Sequence, residues 1–235
     1  NLPVVSSEAS SEAEQERFVR EKIREELDKP FVLHQLPLIR WTVLKLGELD
    51  HILLHIEHHL LHDGCSFHIF MREFLELYGA FTSGRPASLP KLPIQFVDFA
   101  QWERQRVETG LLQPQIDYWK EQLSGSPSLV ALPYDFPRSP VQTFKGAAPR
   151  VVLPLHLSKA VRQFSRQEKT TLFITMFTAF AGMMYRLTGQ DDLCIGTAIA
   201  NRRLRECEDV IGMFVNNVVL RIKNLRGEVS GRELL

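Results

Sequence analysis

The stretch Glu57-His58-His59-Leu60-Leu61-His62-Asp63-Gly64-Cys65-Ser66 decides how this 235-residue chain reads. It directly follows an apolar, strand-like run and places a paired histidine, a carboxylate and a glycine in close succession. Such a grouping suits proton handling. His59 is expected to stand at the strand end and Asp63 to fix the following loop. Gly64 is expected to permit a chain reversal that a residue with a Cβ resists.

Side chains alternate along a strand, so parity separates the two adjacent histidines. On a strand ending at His59, Ile52, Leu54, Ile56 and His58 share one face, while Leu53, His55, Glu57 and His59 share the other. His58 then projects with the apolar row as a hydrogen-bonded structural histidine. His59 projects with polar neighbours and is the ring free to face a substrate channel. Asp63 has two readings. As a partner of a general base it should touch His59; as a scaffold residue it should pair with an arginine, which a buried carboxylate needs. The scaffold role is preferred, and Arg202 and Arg203, just beyond an expected strand over 193–200, are the candidates.

Six of the eight histidines fall between His51 and His68, which raises the question of a metal. His58 and His62 would stand four apart on a helix, but the segment reads as strand then turn, with no cysteine or second carboxylate cluster at ligand spacing. No metal site is expected. There is no G-x-S-x-G elbow of a serine hydrolase and no P-loop or G-x-G-x-x-G run for a nucleotide. The hydrophobic fraction of 44% and charged fraction of 24% are those of an ordinary globular protein. Lysine plus arginine equals aspartate plus glutamate at 28 each, so charge gives no reason to expect nucleic acid or an anionic membrane as a partner. Cys65, Cys194 and Cys207 are too scattered for a disulfide framework or a zinc knuckle, which fits a reducing, cytoplasmic setting. The apolar run 172–185 is too short for a bilayer span and carries threonines, so a buried helix is expected there. The N-terminus lacks the series of a signal peptide and reads as a cut inside a longer polypeptide.

Along the chain, Ser10 or Ser11 is expected to cap a helix that runs to Asp28 and ends before Pro30. Strands are expected over 38–46 and 50–59, joined by Gly47-Glu48-Leu49 as an antiparallel hairpin. A helix over 66–81 should bury the stripe Phe67, Phe70, Met71, Phe74, Leu75 and Tyr78. An exposed connection over 82–93 leads to helices over 94–109 and 113–123. The proline-punctuated run 124–149 is the expected lobe boundary. A strand over 150–154, helices over 157–167 and 171–187, and strands over 193–200 and 214–222 follow. No solenoid-type repeat is present.

The run His58 to Gly64 is HHxxxDG, the hallmark of the chloramphenicol-acetyltransferase-like acyltransferases, which include the condensation domains of nonribosomal peptide synthetases. Four further segments narrow the resemblance to condensation domains. Phe96-Val97-Asp98-Phe99-Ala100-Gln101-Trp102 resembles the family's YxDFAxW, with Phe96 in place of tyrosine. Tyr118-Trp119-Lys120-Glu121-Gln122-Leu123-Ser124-Gly125, followed by Leu132-Pro133-Tyr134-Asp135-Phe136-Pro137-Arg138, is similar to the stretch that leads from the first lobe to the second. Ile195-Gly196-Thr197-Ala198-Ile199-Ala200-Asn201-Arg202 resembles the segment with the family's structural arginine, which puts Arg202 ahead of Arg203. Ile211-Gly212-Met213-Phe214-Val215-Asn216-Asn217-Val218-Val219-Leu220-Arg221 resembles IGxFVNTxxxR, with Asn217 in place of threonine. The family's opening SxAQxRLW and RHExLRT motifs and its late motifs are absent, so the resemblance is to the middle of a condensation domain. Phe67-His68 stand where epimerisation domains carry a tryptophan, and the histidine pair itself disfavours heterocyclisation.

The resemblance implies an α/β fold of layered, chloramphenicol-acetyltransferase-like lobes, with mixed sheets flanked by helices. Residues 1–133 would be the remainder of the N-terminal lobe and 134–235 the beginning of the C-terminal lobe. It implies amide bond formation between a donor acyl or peptidyl thioester and an acceptor aminoacyl thioester, both held on carrier proteins. His59 would be catalytic, with His58, Asp63, Gly64 and Arg202 as support and Asn216 as a substrate contact. No cofactor is expected on the domain itself, because phosphopantetheine arrives on the donor and acceptor peptidyl carrier proteins. An adjacent adenylation domain is a further expected partner, and nucleic acid and membrane are not. The rival readings are a standalone acyltransferase that takes coenzyme A or carrier-bound donors, and a non-catalytic carrier-docking domain.

Overall fold

The computed structural model describes residues 2–9, 11–137, 139–143, 146–227, 230–233 and 235. Ser10 and Arg138, both singled out in the sequence, lie outside these residues. Two compact units form: Asn1–Thr109 with Ile199–Asn216, and Gly110–Ala198 with Asn217–Leu235. By compactness the chain therefore divides elsewhere than at 133/134. In the second unit Arg221 donates to the carbonyls of Gln122 and Ser124 at 2.8 and 2.7 Å, which ties residues before the expected boundary to a late strand.

The first unit is built on a three-stranded mixed sheet of β1 (Val4–Ser6), β2 (Ile39–Lys45) and β3 (His51–Glu57). β1 pairs parallel with β2, and β2 antiparallel with β3 in a register that sets Trp41 opposite His55 and Ile39 opposite Glu57. β1 was not expected; three residues are too few to show an alternation. Helix α1 (Glu12–Asp28) starts on a capping box in which Ser11 and Glu14 satisfy each other's backbone N–H. At its other end Arg40 of β2 donates to the carbonyls of Glu26 and Lys29, both at 2.9 Å, and so caps the final turn.

Helix α2 (Gly64–Ser83) corrects the expected burial. Its buried residues are Ser66, Ile69 and Ala80, whereas Phe67, Leu75 and Tyr78 are 45%, 60% and 63% exposed. Contacts at the first turn, described below, turn Ser66 inward, and of the expected stripe only Phe70, Met71 and Phe74 stay half-buried, with Phe70 against the rings of Trp41 and His55. α3 (Phe96–Glu108) sends Phe99 into a core with Cys207, Val210 and Phe214, against which Ile94 and Phe96 pack. Trp102, the last residue of the same sequence segment, is 40% exposed.

The second unit holds α4 (Gln113–Leu123), α5 (Leu155–Gln167), α6 (Leu172–Thr188), β4 (Leu193–Ile199) and β5 (Asn216–Ile222), the last two forming a two-stranded sheet. Its core joins Met184, Leu193 and Leu225, with Val130, Tyr185 and Ile222 packed against them. Residues 150–154 form no strand. Val151 and Val152 stand 82% and 80% exposed, and β propensity without a neighbour to pair with does not make a sheet. No helix among the described residues is long and apolar enough to cross a membrane.

Candidate active site

The expected site residues His58, His59, Asp63, Gly64 and Arg202 fall in the first unit, and Asn216, the first residue of β5, is that unit's last residue. β3 ends at Glu57, before the paired histidines, and the chain turns at once, with Leu61 N–H donating to the His58 carbonyl at 3.1 Å. The register explains the early end: it would set Pro37, which has no N–H to extend the ladder, opposite His59. A turn, and not strand parity, therefore separates the two rings. His58 is half-buried, its Nδ1 accepts from Leu60 N–H at 3.2 Å, and its ring stands edge-on to Phe31 with centroids 6.2 Å apart.

His59 is exposed, and its Nδ1 lies 2.9 Å from the His62 carbonyl oxygen. A carbonyl only accepts, so Nδ1 carries the ring proton of the neutral imidazole and Nε2 keeps its lone pair. The ring is thereby held in the tautomer of a proton acceptor, on a side open to solvent.

Asp63 is the N-cap of α2 and is only 2% exposed. Its Oδ1 accepts from Ser66 N–H at 2.9 Å and from Arg202 Nη2 at 3.0 Å, and its Oδ2 accepts from Phe214 N–H at 3.1 Å. No hydrogen bond joins Asp63 to His59 among the described residues. Arg202 also donates from Nη1 to the carbonyls of Cys207 and Val210, at 2.5 and 2.7 Å, and its guanidinium lies 4.1 Å from the Phe214 ring centroid. The segment that follows β4 is thus wound around one cation and fastened to the first turn of α2. Arg203 is exposed.

Ser66, fully buried, completes this network and was not singled out in the sequence. Its hydroxyl accepts from Gly212 N–H at 3.0 Å and from Arg202 Nη2 at 2.8 Å, and it has one proton for two acceptors, Asp63 Oδ1 and the Gly212 carbonyl, each at 2.9 Å. The signal was its place three residues after an N-cap aspartate, where the backbone N–H meets the cap.

Burial opposes the Asp63 charge, but the Ser66 backbone N–H, the Arg202 guanidinium and the Ser66 hydroxyl outweigh it and hold the carboxyl below its ordinary value of 3.8. A carboxyl depressed in the folded state contributes stability above its unfolded value, and that contribution is lost as pH falls through the folded value. The gap in melting temperature between wild type and Asp63→Asn is expected to be widest above about pH 5 and to narrow as acid is added. A gap constant to pH 2 would contradict the depression.

Gly64 does not reverse the chain. It is the first residue of α2, its φ is not positive, and a Cβ there would meet nothing within 4 Å. The glycine that the site requires is Gly212, where an added Cβ would run into the Phe96 ring and lie 2.9 Å from the Phe96 Cβ. Gly212→Ala is expected to cost about 1–3 kcal/mol in chemical denaturation, and Phe96→Ala in the same chain to recover part of it. A loss below about 0.5 kcal/mol would show that the packing yields freely. Asn216 opens β5 at an exposed position. A pocket of about 890 Å³ in the second unit, along α6, contains none of these residues.

The profile of the condensation domain family matches residues 1–231, and the chain belongs to that family. It is 40% identical over 223 residues to malpinin synthetase of Mortierella alpina, covering 95% of this chain and 3% of that protein. The crystal structure of the SgcC5 protein from Streptomyces globisporus, 30% identical, superposes over 100% of this chain and 52% of its own with a TM-score of 0.74. The X-domain from teicoplanin biosynthesis, 23% identical, shares the fold with a TM-score of 0.84 over 100% of this chain and 51% of its own. The chain thus spans about half the length of these solved relatives and a small fraction of the synthetase.

Proposed function

We propose that this chain carries the reactive histidine of a nonribosomal peptide synthetase condensation domain, which joins a donor acyl thioester to the amine of an acceptor aminoacyl thioester. The observation that carries the reading is the exposed His59 ring, whose Nδ1 is bonded to the His62 carbonyl and whose Nε2 lone pair is left to receive a proton. The amine attacks the donor carbonyl, the N–C bond forms and the C–S bond breaks. The amine proton passes by way of His59 Nε2 to the departing thiolate. The product remains on the acceptor. Holding the amine against the thioester contributes as much as, or more than, the proton transfer, because well-oriented reactants reach effective molarities of about 10⁵ M and above.

Asp63, Ser66, Arg202 and Gly212 hold the turn that presents His59 and touch no reacting atom. Gly64 leaves the space beside the first turn of α2 unfilled, and Asn216 is a candidate substrate contact. Phosphopantetheine enters as part of the two substrates, carried by donor and acceptor peptidyl carrier proteins, with an adenylation domain as the neighbour that loads the acceptor. The test is the intact protein that carries this chain, incubated with two loaded carriers and followed by intact-protein mass spectrometry. The acceptor carrier is expected to gain the mass of the donor acyl group. Transfer from free acyl-coenzyme A but not from a loaded carrier would establish the standalone acyltransferase instead, and stable carrier binding without transfer the docking domain.

A further inference from the structure

His55 and Glu57 stand two apart on β3, so their side chains leave the sheet on the same face. His62, from the turn beyond, reaches back to the same place. Glu57 lies 3.1 Å from His55 Nε2 through Oε2 and in ion-pair contact with His62 Nε2 through Oε1. One donor atom from each of the three residues lies within 4.8 Å of the other two. The three side chains are only 14–16% exposed. Both Nε2 atoms are buried and make no hydrogen bond among the described residues, so their contact with the carboxylate is one of proximity without donor alignment. Two buried ring nitrogens that converge on one carboxylate without bonding to it call for a reason, and the three groups together are a donor set of the kind a cation takes.

We propose that His55, Glu57 and His62 bind a divalent transition ion, with zinc as the occupant. Two imidazoles and a carboxylate suit zinc, which takes arms of about 2.0–2.2 Å from such ligands, with a fourth position left to water. His62 is already set as a ligand: its Nδ1 faces the Asp63 carbonyl at 3.0 Å, so that nitrogen carries the proton and Nε2 is free to coordinate. His55 must change. Its Nδ1 now accepts from Trp41 Nε1 at 2.6 Å, and coordination through Nε2 moves the ring proton to Nδ1, so the indole must turn away. The ion would tie β3 to the turn whose His62 carbonyl holds the His59 ring, placing a metal-dependent brace next to the candidate catalytic group. The pair that helical spacing suggested, His58 and His62, is not the pair that meets.

The test uses the tag-free intact protein, freed of metal and titrated with cobalt(II) as a spectroscopic probe and zinc as competitor. Wild type is expected to bind one additional equivalent of cobalt beyond the His55→Ala/His62→Ala variant, with visible bands that zinc abolishes. Glu57→Gln and His62→Gln are each expected to weaken binding by more than about 100-fold, beyond the usual effect of an outer-shell partner. His51→Gln, at the exposed start of the same strand, should leave affinity unchanged. Cobalt should quench fluorescence in wild type and less in Trp41→Phe. If a histidine variant fails to fold, Glu57→Gln decides the matter by melting, because zinc should raise the melting temperature of wild type and not of this variant. Equal cobalt affinity in wild type and Glu57→Gln, or no saturable binding in wild type, overturns the proposal, and neither outcome depends on condensation activity.

Discussion

Asp63→Ala is expected to lower the unfolding free energy by about 3–5 kcal/mol, the range for a buried ion pair that loses one partner. The substitution leaves the N–H groups of Ser66 and Phe214 without their acceptor and leaves Arg202, whose side chain is 8% exposed, without its counter-charge. It also removes the N-cap of α2, a loss that is itself worth about 1 kcal/mol. Arg202→Ala should cost a similar amount, because the carbonyls of Cys207 and Val210 lose their donor while the Asp63 charge stays buried. The two losses should not add. With both partners gone no charge is stranded, so the double variant is expected to fall short of the sum by about 0.5–3 kcal/mol. Urea denaturation of the four proteins closes the cycle. Additive losses, or an Asp63→Ala as stable as wild type, would show that the pair does not hold the segment after β4 to α2.

Helix α1 was legible because its signals are local: Ser11 and Glu14 form the capping box and an apolar period runs between them and Pro30. The hairpin of β2 and β3 was legible from alternation, and HHxxxDG marked the turn. What was not legible depends on partners distant in sequence. Val151 and Val152 look like a strand, but strands exist by pairing, and these two pair with no strand among the described residues. The aromatic stripe of α2 looks like a core face, yet only Phe70, Met71 and Phe74 of it stay half-buried, and the hold of Asp63, Arg202 and Gly212 turns Ser66 in. Gly64 drew attention as the turn glycine, while the close approach that demands a glycine is at Gly212, visible only when Phe96 is placed beside it. His55 and Glu57 were placed on one face by parity alone, and His62 joined them only through the turn.

His59→Ala should slow amide formation by about 10²–10⁴-fold, the usual contribution of a positioned general base, while leaving the fold intact. The ring is exposed and the hydrogen bond it loses is to a carbonyl that solvent can satisfy, so the change in stability should stay within about 0.5 kcal/mol. Rate and stability are thus expected to divide between neighbouring residues, His59→Ala lowering the first and Asp63→Ala the second. The direct measurement is the single-turnover rate of acyl transfer onto the acceptor carrier, followed by intact-protein mass spectrometry, alongside the melting temperature of the same His59→Ala preparation. A rate reduced by at least about a hundredfold at an unchanged melting temperature is the predicted result; transfer at close to the wild-type rate by a folded His59→Ala protein would contradict it.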